Sequence, residues 1–226
     1  MTHQVYSVLC AGKRPDVPNI HIYDNTENLL SPCQAYQHLL EGSASDVLIY
    51  MHDDVLIHDP NWIERVMEVF LRKNCVSVGF GGALSLGRPD LYRTPYVIQN
   101  MARGEYMSNQ DDWEIHGKRE TGTRRVAVLD AFLMAVRRDF LLSVGGWPVD
   151  HLTHHCLDLW LACEAARAKK EIWMTGVSVL HSGGGTSTNA TYAMAKWKQG
   201  GTLESDHQEP HRWLMETYRD VLPIIV

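Results

Sequence analysis

A chain of 226 residues, 45% hydrophobic and 21% charged, has room for one sizeable domain and the composition of an ordinary globular protein. Its formal net charge of −6 provides no basic field to attract nucleic acid, and no apolar run approaches the ~20 residues that span a bilayer. Five scattered cysteines without a Cys-x-x-Cys pair argue for free thiols in a reducing, cytoplasmic compartment. The opening MTHQVYSVLC is too short and wrongly charged for a secretion signal.

Val5 to Cys10 reads as a first buried strand, and Ala11 to Asp16 as a turn broken by Gly12 and Pro15. Asn19 to Tyr23 is a second strand that ends in Asp24, Asn25 and Thr26. Ser31-Pro32 then opens a helix to about Glu41, with Ser31 as N-cap and proline at the first helical position. The central stretch follows. Val47 to Met51 is a continuous apolar run, the pattern of a strand buried on both faces, and it stops abruptly at His52, Asp53 and Asp54. Strand, turn, strand, helix, strand argues for an α/β sheet with parallel members.

Asp59-Pro60 repeats the cap-plus-proline start, with Trp62, Ile63, Val66, Met67, Phe70 and Leu71 at helical spacing behind it. Val76 to Phe80 is a strand closed by Gly81-Gly82. Residues 83 to 123 read as long loops with short strands, where a segment covering a substrate could lie. Val126 to Val136 is apolar and strand-like, interrupted by Asp130 alone. Asp139 is placed as the cap of a short helix through Val144, which Gly145-Gly146-Trp147-Pro148 ends. Cys156 to Ala168 is helical, Ile172 to Met174 and Val177 to Leu180 are short strands, and the second runs into His181 and the glycine-rich 182–188 segment. Two further helices, about 190–198 and 207–221, complete one domain over residues 1–226.

Four strand ends thus carry polar groups: Asp24, Asp53 with Asp54, Asp130, and His181. In an open α/β sheet, ligands bind outside the carboxyl ends of the strands. Adjacent carboxylates there are costly to desolvate unless something neutralises them, and a divalent cation such as Mn²⁺ or Mg²⁺ suits oxygen ligands.

These segments, in order, resemble a nucleotide-sugar glycosyltransferase of the GT-A fold, close to the inverting glycosyltransferase family 2 and its glycosyltransferase-like relatives. Ile22 to Thr26 is similar to the strand ending in Asp-Asn-x-Ser, and Ala35-Tyr36-Gln37 sits where the family often has Tyr-Asn. Leu48 to Val55 is similar to the strand ending in Asp-x-Asp, and Leu129 to Arg138 to the acceptor-side strand. Val144 to Trp147 is similar to the Gly-Gly-Phe turn, and Leu157-Asp158-Leu159 to the end of the Glu-Asp-x-Asp-Leu helix motif. His181 is similar to the histidine that completes the metal site. The match runs over roughly residues 5 to 185.

The resemblance implies a mixed, mostly parallel sheet flanked by helices. It implies Asp54 and His181 as metal ligands. Asp24, Asn25, Asp53, Asp130, Lys13 and Arg14 would bind the donor. The implied partners are a UDP- or GDP-type sugar donor and a glycan, lipid-linked or protein hydroxyl acceptor. Two departures stand out. His52 replaces the first acid of Asp-x-Asp, and its simplest reading is a structural hydrogen-bonding histidine. Cys156 occupies the usual base position, where a thiol serves a sugar hydroxyl poorly. Asp158 is therefore the candidate base, with His155 or His154 as substitutes and helix-dipole stabilisation as the plain alternative. A GT-A-like domain that binds nucleotide or glycan without catalysis is the rival function. Trp113, Trp147 and Trp197 are candidates to stack on a sugar ring, and Trp62, Phe70 and Trp160 for the core. The apolar face of the last helix is expected to pack on the domain, with homodimer formation or peripheral membrane attachment as the alternatives.

Overall fold

The computed structural model describes residues 1–9, 17, 19–27, 30–87, 102–103, 118–119, 121–177, 179–181 and 205–226. The glycine-rich 183–188 segment, the helix expected at 190–198, Cys10, Trp113 and Trp197 lie outside them.

A seven-stranded mixed sheet forms the centre. Its strands are β1 (His3–Leu9), β2 (Ile20–Asp24), β3 (Val47–Met51), β5 (Cys75–Gly79), β10 (Thr123–Val126), β12 (Leu133–Arg137) and β13 (Glu171–Thr175). Their order across the sheet is β10-β13-β5-β12-β3-β1-β2. The β1–β2, β1–β3 and β5–β13 pairs are parallel, while β12 runs antiparallel to both β3 and β5. All five residues of β3 are fully buried, as the unbroken apolar run demands. Leu48 and Tyr50 enter one core cluster, and Val47, Ile49 and Met51 enter the other, so β3 feeds both faces of the sheet.

On the Tyr50 face lie α1 (Pro32–Gly42), α4 (Leu157–Arg167) and the carboxyl-terminal α5 (Ser205–Thr217). Ser31 caps α1 in a full capping box, its Oγ accepting from Gln34 N while Gln34 Oε1 accepts from Ser31 N. Leu214, Tyr218 and Leu222 bury the apolar side of the last segment, in keeping with the packing reading. On the other face lies α2 (Trp62–Val69), with Trp62 and Phe70 in the core; Trp160 is buried on the α4 side. The expected start at Asp59-Pro60 is two residues early. Asp59 instead accepts from Asn61 N and pairs with Arg65 at 2.7 Å, which closes a turn before the helix begins. Asp139 likewise does not cap: α3 spans Arg138–Ser143, with Arg137 at the N-cap and Asp139 inside the first turn.

The apolar run from 126 to 136 is not one strand. It divides into the end of β10, a short β11 (Val128–Leu129) and β12, with Asp130 at the break. β11 pairs with β6 (Gly81–Ala83) in a second sheet, which β8 (Ala102–Arg103) and β9 (Lys118–Arg119) extend, and β7 (Ser85–Leu86) pairs with the terminal β15 (Ile224–Ile225). Trp147 is a core residue and not a sugar platform: it is 3% exposed, packs on Tyr36, Tyr50 and Trp160, and its Nε1 donates to Tyr50 Oη. The described cysteines are buried free thiols, and burial pushes those of Cys33, Cys75 and Cys163 up to about 12. No helix among the described residues is long and apolar enough to cross a membrane.

The Gly-Gly-Trp turn has a firm steric requirement. Gly146 sits at φ +85°, and a Cβ there would come within 2.5 Å of Gln37 Oε1, which accepts from Trp147 N. Gly146→Ala is expected to destabilise the fold by about 1–3 kcal/mol in urea titration.

Candidate functional site

The carboxyl edge of β3 carries the site. The chain leaves the sheet at His52, turns through Asp53 and Asp54, and re-enters extended backbone as β4 (Val55–Ile57). β4 pairs antiparallel with β14 (Val179–His181), and the register sets His181 opposite Val55, one residue from Asp54. Nε2 of His181 lies 3.2 Å from Asp54 Oδ1 and 3.4 Å from Nδ1 of His52. Phe132 holds this arrangement from the side. Its carbonyl accepts from His52 N at 2.9 Å, and its ring stacks on His181 with centroids 5.0 Å apart.

His52, Asp54 and His181 each offer one ligand atom, and these atoms all lie within 4.8 Å of one another. Among the described residues this is the one such group. The donor set fits a divalent cation. Oδ1 of Asp54 is shielded from solvent, with Nε2 of His181 as its close polar neighbour at 3.2 Å. Burial raises the Asp54 carboxyl, but the imidazoles of His181 and His52 outweigh it and hold the group below the usual carboxylate range. Burial, aided by His181, brings His52 down to about 4, so its imidazole is neutral at physiological pH, the form that ligates metals. Asp54 and His181 come together as the sequence suggested. His52, read from the sequence as a structural hydrogen-bonding histidine, stands with them. The available signal was its i, i+2 spacing from Asp54 at a strand end.

Asp130 and Asp158 extend the site along the same edge. The β12–β3 register pairs Leu133 with Met51, which carries the Asp130 turn alongside His52. Asp130 Oδ1 accepts from Phe132 N at 3.4 Å, and its charge acts on both His52 and Asp158. Asp158 stands in the first turn of α4, where Leu159 N donates to its carboxylate and the Ala131 amide ties it to the Asp130 turn. Burial and then the Asp130 charge raise Asp158 to about 7. Cys156, by contrast, turns the chain at φ 68° and buries its side chain in the core, away from any base role. His155 is half-buried against His154, with ring centroids 4.5 Å apart.

The remaining candidates divide. Asp24 is exposed at the end of β2, its Oδ1 accepting from both N and Oγ1 of Thr26. It lies two strand spacings from β3, roughly 10 Å across the sheet. Asn25 is 3% exposed and clasps Leu30 through both ends of its amide, a loop tie that turns it inward. Asp53 is buried beside the two histidine-bearing segments. Lys13 and Arg14 lie outside the described residues.

A family model described as a glycosyltransferase-like family matches residues 17–198. The chain belongs to that family. Among solved structures it is similar to GalNAc-T7 with UDP, GalNAc and Mn²⁺, at 10% identity and a TM-score of 0.51. That alignment covers 80% of this chain and 43% of that one, so the chain spans less than half of that enzyme. A197 from STIV aligns at 14% identity and a TM-score of 0.48, covering 80% of this chain and 85% of that one. No curated protein matches the sequence. The fold of this glycosyltransferase-like chain is GT-A: a large, mostly parallel sheet flanked by helices.

Two outcomes test the geometry. At Mn²⁺ a hundredfold above its dissociation constant, the native state should gain about 2.7 kcal/mol, read as a rise in melting temperature. That rise should vanish in Asp54→Ala, His181→Ala and His52→Ala; an undiminished rise in the last would return His52 to a purely structural role. The raised Asp158 has the opposite sign from a salt-bridged acid. Below about pH 4 it is protonated folded and unfolded alike. Between about 4 and 7 only the unfolded chain ionises, so stability falls, and above about 7 the penalty is constant. Asp158→Asn should therefore stabilise the protein above pH 7, by up to about 4 kcal/mol, and leave it unchanged near pH 4.

Proposed function

We propose that this chain is a metal-dependent glycosyltransferase that moves a sugar, with inversion, from a nucleotide-diphosphate donor to a hydroxyl acceptor. The observation that carries the reading is the convergence of His52, Asp54 and His181 within 4.8 Å, with the Asp130 turn linking them to an acid raised to about 7. The family match and the GT-A fold give the general class.

Asp54, His181 and His52 would hold the cation. Two imidazoles and one carboxylate favour Mn²⁺ over Mg²⁺, which prefers an all-oxygen octahedral shell. When bound, such an ion neutralises charge that develops on the departing diphosphate. The residues of the chain do the rest. Asp24, about two strand spacings away, is within a nucleotide's reach of the cation and would meet the ribose or base. Asp53 would contact the ribose or a water of the site. Asp130 would orient a hydroxyl of the donor sugar or the acceptor. Asp158 would accept the acceptor's proton at a carboxylate oxygen as the hydroxyl attacks the anomeric carbon. Its raised value suits that work, because a base near neutrality binds the proton firmly yet is half ionised at working pH.

The pH profile tests the assignment. An acid that must be ionised to act gives kcat/KM that rises through about pH 7 and levels above it. Asp158→Asn should lower turnover by about 10²–10⁴-fold and abolish that rise, with Mn²⁺ affinity unchanged. A protein that binds UDP or GDP with Mn²⁺ and never turns over a sugar donor would instead be the non-catalytic relative.

A further inference from the structure

A second concave site lies on the other side of α4. Asp158 and Trp160 are two positions apart on the helix, about 200° around its axis, so they face opposite ways. Trp160, Glu164 and Arg167 line a groove closed by the Gly-Gly-Trp turn, the end of α1 and the last helix. Its volume, about 490 Å³, lies within the range of small-ligand sites. Helix thickness alone separates it from Asp158 by about 10 Å.

The groove is built and held. Gln37 accepts from Trp147 N at 2.8 Å and donates to Glu41 at 2.8 Å, which fixes the floor. Tyr218 donates its hydroxyl to Glu164, and His151 stacks on Trp213 with centroids 4.4 Å apart and planes 13° apart. The exposed His151 ring and the half-buried Trp213 ring thus make an aromatic shelf at the rim.

Its charges select the class of ligand. Glu41, Asp150 and Glu164 contribute three carboxylates, and Arg167 the one cation among the lining residues. Arg167 is already engaged: its guanidinium lies 4.2 Å over the Tyr218 ring, donates to Thr217 O at 2.8 Å, and stands 3.6 Å from Asp220. A phosphate or sulfate would meet three like charges and a single, already engaged guanidinium. A neutral polyhydroxylated ligand suits the lining. Its hydroxyls donate to carboxylates in charge-assisted hydrogen bonds, and its apolar C–H face lies on the aromatic shelf.

We propose that this groove is a second, non-catalytic saccharide site, which holds a remote part of a glycan acceptor while another part of it reacts beside Asp158. The word acceptor rests on the transferase reading; the saccharide site does not. The test uses the full chain with neutral malto-, cello- and chito-oligosaccharides, read by saturation-transfer NMR, and inorganic phosphate as the anionic comparison. At least one oligosaccharide series should bind, phosphate should not, and the double variant D150N/H151A should weaken binding about tenfold. Mn²⁺-dependent donor hydrolysis should be unchanged in that variant, whereas KM for a long acceptor rises with kcat kept. Failure of every oligosaccharide to bind, binding indifferent to the variant, or binding of phosphate instead overturns the groove assignment. Saccharide binding without any donor turnover keeps the groove and removes the transferase reading, so the two fail separately.

Discussion

The pairing of Val55–Ile57 with Val179–His181 is the constraint on which the site depends. Asp54 and His181 are remote in sequence, and nothing local holds them together. A three-residue antiparallel ladder does, and its register admits no slip. A shift of one residue would turn the His181 side chain to the opposite face and leave the Asp54 carboxylate buried opposite nothing. The Phe132 ring reinforces the register from the β12 side, stacking on His181 while its carbonyl fixes His52. Three separated segments therefore agree on one imidazole position.

The reversed direction of β12 has a chemical consequence. A purely parallel sheet would send every strand end to the same edge and every strand beginning to the other. Because β12 runs antiparallel between β3 and β5, it is its beginning that meets the end of β3. The turn that precedes it, with Asp130, Ala131 and Phe132, is delivered to the functional edge. An acid that interrupts an apolar run is costly inside a sheet, and here it stands at a break between β11 and β12 where it can be solvated or engage a ligand.

Much of this was legible in the sequence, for physical reasons that differ by element. β3 was plain because burial on both faces requires an unbroken apolar run, and α1 because Ser31-Pro32 begins it with two independent signals. Asp54 and His181 were legible as strand-end polar groups. The place of His52 beside them was less legible, because a lone histidine carries the same letter whether it braces a turn or faces a cation, and its 3.4 Å approach to His181 depends on the β4–β14 pairing. Asp59-Pro60 misled because Asp59 spends its carboxylate on Asn61 and Arg65, forming a turn that resembles a cap. Trp147, a candidate sugar platform for its place beside a loop, is instead folded back by Gly145 and Gly146 onto Tyr36 and Tyr50.

Two carboxylates of the site, Asp54 and Asp158, show how one fold prepares opposite behaviour from the same side chain. Asp54 and Asp158 both suffer burial, which raises each of them. Their neighbours then separate them. Asp54 faces two imidazoles, which favour its charge and bring it down, so it remains an anion suited to a cation. Asp158 faces Asp130, a like charge, and its backbone partners at Leu159 and Ala131 offset that only in part, so it is held at about 7. The division follows from topology: the β4–β14 ladder brings nitrogen to one acid, while the reversed β12 brings another acid to the second. Two aspartates at the same sheet edge thus settle in opposite senses under one condition, burial, because their neighbours differ in charge.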